Sequence, residues 1–443
     1  MLLDWIDWTI VGVFLLVTLA VGLAVMKRAG SSSAEFFLSG RGMPWWLLGM
    51  SMVATTFSAG TPNFVADIVR QDGVAGNWVW WSLLLTGMMT VFIYAKLWRR
   101  SGVMTDIEFY ELRYSGKPAA FLRGFRAIYL GVLFNVLVMA SAMLAVIKVA
   151  GTMLGASPVE TILVAGTVTA IYSMMGGLTG VLLTDFLQFT VAMAGAIAAA
   201  VYLVNLDSIG GMSALLAREE VASKLALFPD IHNTDLLMAA FVIPLTIQWW
   251  SVWYPGSEPG GGGYVAQRML AAKNEAHATG ATLLFNVAHY ALRPWPWIIV
   301  ALCSIVVFPT LDSIQAAFPN VTEQMVKHDL AYPAMLTLLP SGLRGLMLAS
   351  LMAAFMSTLS THLNWGASYV VNDFYRRFMR PEATERELVA AGRLCTLLTM
   401  ILAGLLGLYL SNALQAFHIL LRVGAGTGLL FILRWFWWRI NAY

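Results

Sequence analysis

The sequence predicts an all-α, polytopic membrane protein with about eleven transmembrane helices. Of its 443 residues, 59% are hydrophobic and only 12% are charged. Soluble domains carry about a quarter charged residues, so this chain lies outside that class. Several apolar runs reach the roughly 18 residues that mark a membrane-spanning helix. Lysine and arginine are also distributed very unequally among the segments that connect these runs.

The first apolar run covers residues 7–26 and is not the core of a typical cleavable signal peptide. Asp4 and Asp7 precede it, whereas a signal peptide begins with basic residues. The two cysteines, Cys303 and Cys395, both lie in apolar runs and indicate neither a disulfide framework nor a metal site. The predicted spans are 7–26, 44–69, 75–98, 123–150, 157–176, 178–204, 235–255 (continuing irregularly to 272), 277–308, 342–371, 386–410 and 412–438.

The basic residues predict the orientation of these spans. With the N-terminus outside, nineteen of the 27 lysines and arginines fall in inside segments and six fall outside. Arg293 and Arg422 lie within spans. This is the bias of the positive-inside rule, and it predicts a plasma (inner) membrane protein whose N-terminus is outside or periplasmic. The net charge of +3 is therefore a topology signal, and we expect no nucleic-acid partner.

Two spans are interrupted by helix-breaking residues. The second span reads VATTFSAGTPN at mid-membrane depth, and the seventh runs into WYPGSEPGGGGYVAQR at 253–268. Each opens a series of five spans, and the two series enter the membrane from opposite sides. Paired interruptions of this kind indicate a transporter built from inverted repeats. We therefore expect an extra helix in 1–30, a first repeat in 44–204 and a second in 235–438.

Two other interpretations of the interruptions remain open at this stage. The breaks could be simple kinks that only help helices to pack. The glycines of the seventh span could instead cradle a phosphate, but a P-loop needs Gly-Lys followed by Ser or Thr. A dinucleotide fingerprint needs a preceding strand in a βαβ unit. Neither context is present, so a nucleotide site is disfavoured.

Four segments resemble the sodium:solute symporter family, and they are spread over much of the chain. They are EFFLSGRGMPWWLLGMSMVATTFSA (35–59), TAIYSMMGGLTGVLLTDFLQ (169–188), YVAQRMLAAKNEAHA (264–278) and LPSGLRGLMLASLMAAFMSTLSTHLNWGAS (339–368) followed by ND-x-Y. The resemblance covers about residues 5–438. It implies the five-plus-five inverted repeat of the LeuT fold, with one extra helix in front and usually two or more behind. The helices behind are expected to be absent from this chain.

Sodium binding is implied by the same resemblance. Ala354, Ser357, Ser360 and Thr361 follow helical spacing and share one face. By resemblance, the first sodium site uses the carbonyls of Ala54, Phe57 and Ala354 with the hydroxyls of Ser357 and Thr358, and a second uses Asp185, Ser357, Ser360 and Thr361. The alternatives are hydroxyls that only pack helices and an Asp185 that only sits at a helix start.

The solute is expected at mid-membrane between the two interrupted helices. The polar and aromatic candidates are Thr55, Thr56, Ser58, Thr61, Trp80, Trp81 and Tyr264. The cationic candidates are Lys148, His289 and Arg293, which would imply a solute carboxylate. Their alternatives are snorkelling to the interface or, for the histidine, ordinary packing.

Two further observations bear on the solute. In sugar-transporting relatives, polar residues stand where this chain has Gly60, Thr61, Trp80 and Gly262, which counts against sugar. Glu258 is unassigned: it could pair with one of the cations, bind a solute amine, or simply be a polar residue at a wet turn.

The predicted function is sodium-coupled secondary active symport of a small organic solute by alternating access. Na⁺ would be the coupling ion, with one or two ions per cycle, and a monomer in the lipid bilayer is expected to suffice. No catalytic motif such as HExxH or GxSxG occurs, so an enzyme is not predicted. The alternatives are a membrane sensor derived from the transporter fold and a lipid-modifying membrane enzyme. The sensor is disfavoured because no soluble signalling domain follows the spans.

Overall fold

A computed structural model describes residues 3–247, 250, 260–319, 321, 323, 326–410 and 428–442. Glu258, the end of the predicted seventh span and the start of the eleventh lie outside the described residues. The main helices are α1 (Trp5–Ala29), α2 (Trp45–Thr56), α3 (Thr61–Asp72), α4 (Val74–Trp81), α5 (Leu84–Ser101), α6 (Gly116–Gly151), α7 (Pro158–Val204), α8 (Thr234–Thr246), α9 (Gly263–Ala271), α10 (Glu275–Val307), α11 (Leu343–Met379), α12 (Glu385–Tyr409) and α13 (Gly428–Phe436).

Shorter elements connect these helices or lie within them. The short connecting helices are Ser33–Leu38, Phe109–Arg113, Met212–Ala217, Glu219–Ala222, Leu311–Ala317 and Ala331–Leu336. The π-helical turns are Thr90–Tyr94 in α5, Tyr129–Phe134 in α6, Leu237–Val242 in α8, Val287–Leu292 in α10 and Tyr369–Met379 in α11.

The helices confirm the predicted all-α, polytopic class. Among the described residues, six helices are long and apolar enough to cross a membrane, or up to seven if the bent pair of α4 and α5 counts as one span. The predicted span 44–69 is divided into α2 and α3, as its sequence indicates. The predicted spans 157–176 and 178–204 form the single element α7, which Gly177 interrupts.

The chain reverses direction within α7. Gly177 has a φ of 51° and a ψ of −158°, so its backbone is not helical. Tyr172 donates a hydrogen bond to the Met356 carbonyl at 2.9 Å, and Asp185 accepts one from Ser357 at 2.6 Å. Thirteen residues of straight helix would span about 20 Å, yet these side chains reach neighbouring positions of α11. The two halves of α7 therefore lie side by side, as two predicted spans require.

The bundle is organised around α11, which is buried along most of its length. Its first turn is capped by Asp7 of α1, whose Oδ1 accepts the amides of Gly342 and Gly345 at 2.8 Å each. A carboxylate at this end of a helix is favoured by the helix dipole. Further along, a Cβ on Gly366 would lie 2.7 Å from the carbonyl oxygen of Gly131, so α6 and α11 touch through small residues.

We expect Gly177→Ala to lower the stability of the protein. Its φ and ψ belong to a region that residues with a side chain adopt at a cost of about 1–3 kcal/mol. A Cβ there would also lie 2.8 Å from the carbonyl oxygen of Phe36. The measurement is the apparent midpoint of thermal unfolding in detergent. Gly180→Ala is the matched control, because its Cβ would meet Val25 at an ordinary 3.4 Å. Equal midpoints for the two variants would contradict the assigned reversal.

Candidate functional site

The break between α2 and α3 is built by the local sequence between Thr56 and Thr61. Pro62 lies in the first turn of α3, where its missing N–H costs nothing. Polar side chains satisfy backbone groups around the break. The Thr61 hydroxyl accepts the Ser58 amide at 3.1 Å, and the Thr56 hydroxyl donates to the Met52 carbonyl at 2.7 Å. The interruption can therefore persist at membrane depth without leaving these groups unpaired.

Oxygen atoms converge where α11 passes this break. The Thr358 hydroxyl, which has a single proton to donate, lies 3.1 Å from the Thr55 carbonyl, 3.0 Å from that of Ala354 and 3.5 Å from that of Phe57. The Ala54 carbonyl accepts the Phe57 amide at 3.1 Å at the end of α2. Three of the predicted ligands of the first sodium site, Phe57, Ala354 and Thr358, are thus in direct contact. The Thr55 carbonyl adds an oxygen that the sequence did not predict.

Asp185, on α7, forms a second polar centre. Its carboxylate accepts the hydroxyl of Ser357 at 2.6 Å and also that of Ser51. The guanidinium of Arg268 lies 3.6 Å from Oδ2, and neither side chain of this ion pair is exposed. Ser360 donates to the Ser357 carbonyl of its own helix at 3.1 Å. Asp185 therefore bonds side chains of α2 and α11, eight positions beyond Gly177, instead of capping a helix start.

Arg268 is the central residue of this centre that the sequence reasoning missed. From the sequence it is only one of the basic residues predicted to lie on the inside. The guanidinium donates to Thr361 at 2.7 Å, Ser51 at 3.1 Å, Gln267 at 3.0 Å and Thr55 at 3.4 Å. A buried carboxylate costs several kcal/mol unless a cation and hydrogen bonds compensate it. The signal in the sequence was the pairing of the Gln-Arg and Thr-Asp motifs.

The glycine-rich stretch leads directly into α9 and is held from the neighbouring helices. Trp98 donates its indole N–H to the Gly260 carbonyl at 2.8 Å, and Asp106 accepts the Gly263 amide at 3.1 Å. Asp106 also accepts the hydroxyl of Tyr369. Gly260 has a φ of +83° and its Cα faces the ring of Tyr94, where a Cβ would lie 2.9 Å away. This glycine is therefore required by backbone conformation and by close approach.

Helices α2 and α9 lie antiparallel along their length. At one end, the Met43 amide donates to the Ala271 carbonyl at 3.2 Å, joining the start of α2 to the end of α9. At the other end, the hydroxyls of Thr56 and Tyr264 are 2.8 Å apart. The two helices therefore run antiparallel, and the end of α2 before its break lies next to the start of α9.

The polar and aromatic solute candidates fall into two groups. Thr55 contacts Thr361 at 2.9 Å, while Ser58 and Thr61 bond each other at 3.2 Å, both beside the α2 break. The aromatic group is centred on Trp80. The Trp80 ring stacks on Tyr290 at 5.9 Å and meets the edges of Trp81 and His289 at 5.8 and 5.6 Å.

The three cationic candidates have different surroundings. Lys148 forms an ion pair with Asp329 at 3.3 Å. His289 is buried among aromatic rings, and within the described residues its Nδ1 has no hydrogen bond. Arg293 is 1% exposed, lies over the ring of Trp297 and donates to the Val53 carbonyl at 3.2 Å. Its Nε has no hydrogen-bond partner in the described part of the chain.

A model of the sodium:solute symporter family matches residues 36–443. The chain belongs to this family. Similar proteins include the sodium/mannose cotransporter of Bos taurus, which is 27% identical over 98% of this chain and 75% of that protein. Sodium/myo-inositol cotransporter 2 of Oryctolagus cuniculus is 28% identical over 98% of this chain and 67% of that protein.

This symporter also has the fold of a solved member. A Na⁺-coupled sialic acid symporter matches with a TM-score of 0.79 at 20% identity, over 99% of this chain and 88% of that one. The predicted LeuT-type architecture is therefore confirmed. Family membership makes the protein a sodium-coupled, multi-pass membrane transporter of a small solute and not an enzyme.

We expect Asp106→Ala to destabilise the symporter by about 2 kcal/mol or more. The substitution would leave the Gly263 amide and the Tyr369 hydroxyl buried without their acceptor, at about 1–3 kcal/mol for each group. Asp106→Asn keeps one acceptor oxygen, so its stability should lie between that of Asp106→Ala and that of the unmodified protein. Thermal unfolding in detergent measures the difference. An alanine variant as stable as the parent would show that this contact does not hold α9.

Proposed function

We propose that the symporter binds one sodium ion beside Thr358 and a second beside Asp185. It uses the sodium gradient across the membrane to take up a carboxylate-bearing solute. The convergence of the Thr358 hydroxyl with carbonyls of the broken helix carries this proposal. Unwound backbone carbonyls are the groups with which transporters of this architecture coordinate Na⁺. The first site comprises Ala54, Phe57, Ala354, Ser357 and Thr358. The second comprises Asp185, Ser357, Ser360 and Thr361.

The repeats of the proposed cycle are 44–204 and 235–438, preceded by the helix in 1–30. The antiparallel packing of α2 against α9 supports this division, because these helices open the two halves. With the N-terminus outside, the joined ends of α2 and α9 face the inside of the plasma (inner) membrane, as the basic residues indicate. Alternating access would then move the two repeats relative to each other, with Tyr264 acting as the inner gate.

The solute is proposed to bind between the α2 break and the aromatic group around Trp80. Arg293 is the favoured carboxylate partner, because it is buried and its Nε–H has no hydrogen bond within the described ranges. Charged hydrogen bonds in such surroundings are the strong ones. Lys148 is already neutralised by Asp329, and His289 is packed by rings. Thr55, Thr56, Ser58, Thr61, Trp81 and Tyr264 complete the proposed lining.

The relatives set a competing expectation for the solute. The two relatives named above are cotransporters of mannose and of myo-inositol. The family resemblance implies polar residues in sugar-transporting members where this chain has Gly60, Thr61, Trp80 and Gly262. Trp80 offers a flat ring and a single N–H, which already bonds Asn77 at 2.9 Å. These residues provide few hydrogen-bonding groups for a polyol and favour a solute with a carboxylate and an apolar part.

Uptake into liposomes containing the purified protein tests this function. An inward sodium gradient should stimulate accumulation of at least one carboxylate from a labelled panel that also contains sugars and polyols. Replacing sodium with potassium should abolish the stimulation. No stimulation with any solute would refute sodium symport, and stimulation with sugars alone would refute the carboxylate. A sodium-to-solute flux ratio of one to one would remove the second sodium site.

The double variant Ser357→Ala and Thr358→Ala should raise the half-saturating sodium concentration of uptake by about tenfold or more, or about 1.4 kcal/mol. It removes hydroxyls from both proposed sodium sites. Ser368→Ala is the matched control, because its hydroxyl bonds the Trp365 carbonyl of the same helix at 2.7 Å. Unchanged sodium dependence in the double variant would eliminate the first site as assigned.

Arg293→Gln should weaken solute binding by about ten- to a hundredfold while leaving uptake sodium-dependent. A hydrogen bond to a charged group contributes about 1.5–3 kcal/mol, and glutamine cannot supply the charge. Lys148→Gln is the comparison, since its ammonium is engaged by Asp329. The readout is the solute concentration at half-maximal uptake in saturating sodium. A larger shift for Lys148→Gln than for Arg293→Gln would show that Arg293 is not the partner of the solute carboxylate.

A further inference from the structure

The guanidinium of Arg268 stands among the proposed ligands of the second sodium ion. It donates to the Thr361 hydroxyl at 2.7 Å and lies 3.6 Å from the Asp185 carboxylate. Two of the four groups assigned to that ion are therefore already bonded to a cation of the protein. Arg268 has no exposed surface, so its guanidinium is shielded from bulk water.

Sodium at Asp185 would have to share one negative charge with Arg268. Cations about 4 Å apart repel each other strongly at the dielectric constant of a protein interior. The hydroxyl of Thr361 also accepts a hydrogen bond from Arg268, which engages the oxygen that the ion needs. Occupancy by sodium and the present position of the guanidinium are thus mutually unfavourable.

Displacement of Arg268 would be transmitted to the proposed inner gate. Arg268 lies on α9, four residues after Tyr264, and its guanidinium lies 5.8 Å from the centre of the Tyr264 ring. The Tyr264 hydroxyl in turn contacts Thr56 at the end of α2. A change at Arg268 therefore acts on the same helix turn that closes the solute site.

We propose that Arg268 is a tethered cation that neutralises Asp185 when the second site is empty and is displaced by sodium. Sodium occupancy at Asp185 would thereby loosen α9 from α2 and α11 and couple the ion to the gate at Tyr264. The inference rests on the second sodium site of the proposed function. A purely structural arginine would instead keep Asp185 neutralised throughout the cycle, and its removal would not strengthen sodium binding.

Equilibrium binding of labelled sodium to the purified, full-length chain in detergent tests the inference. Arg268→Gln removes the competing charge and keeps a side chain able to donate to Thr361. It should increase sodium affinity by about tenfold. Arg268→Lys, which retains a cation, should stay closer to the unmodified protein. An affinity that is unchanged or lower in Arg268→Gln would overturn the inference.

A double-variant cycle separates competition from indirect effects. In an Asp185→Asn background there is no carboxylate to compete for, so adding Arg268→Gln should leave sodium affinity unchanged. An equal gain in both backgrounds would overturn the competition. If the unmodified protein binds no sodium and shows no sodium-dependent uptake, the proposed function fails. If uptake is sodium-dependent but Asp185→Asn changes neither affinity nor stoichiometry, only the inference and its second site fail.

Ser51→Ala provides a variant that retains both charges of the buried pair. Its hydroxyl accepts from Arg268 at 3.1 Å and donates to Asp185, but it is not a proposed sodium ligand. Removing this hydroxyl takes away one hydrogen bond that keeps the guanidinium in place. The free energy of one hydrogen bond, near the lower end of its usual range, should raise sodium affinity about threefold. If Arg268→Gln does not fold, an unchanged or lower affinity in Ser51→Ala would overturn the inference.

Discussion

The buried ion pair between Arg268 and Asp185 is the interaction on which the arrangement of the central helices depends. It joins α9 to α7, and its hydrogen-bond partners bring in α2 through Ser51 and α11 through Thr361. Breaking a buried pair by removing one partner typically costs about 3–5 kcal/mol, because the other charge is left without compensation. The charges on α9 and α7 and the Ser51 hydroxyl on α2 therefore add polar contacts to the apolar packing of these helices.

The residues that interrupt helix α2 also leave carbonyl oxygens beside the proposed first sodium site. Pro62 and the small residues around it interrupt the hydrogen-bond ladder, and this frees carbonyl groups at Thr55 and Phe57. In hydrocarbon such groups would be too costly to leave unsatisfied, so the hydroxyl of Thr358 contacts them. The break is stable because α11 supplies polar groups to it, and those same groups form the proposed sodium site.

Several residues of the family motifs hold elements together in this structure. Asp373, in the ND-x-Y segment, accepts Arg123 and Thr105 at 2.7 Å each, which joins α11 to α6 and the loop before it. Gln267, next to Arg268, donates to Asn364 at 2.8 Å and to the Phe37 carbonyl at 3.0 Å. The family motifs in this chain therefore include residues that connect helices.

Hydropathy, basic residues and breakers by themselves determined the class, the approximate spans and the two interruptions, because lipid forces long apolar helices and penalises unsatisfied backbone. The helical spacing of Ala354, Ser357, Ser360 and Thr361 is equally local, and all four lie on α11. Only the tertiary structure shows that Arg268 pairs with Asp185, that Lys148 pairs with Asp329 and that Asp106 accepts the Gly263 amide. Each of these pairs joins residues far apart in the chain. Their distances depend on how helices pack, and neither periodicity nor charge along the sequence contains that information.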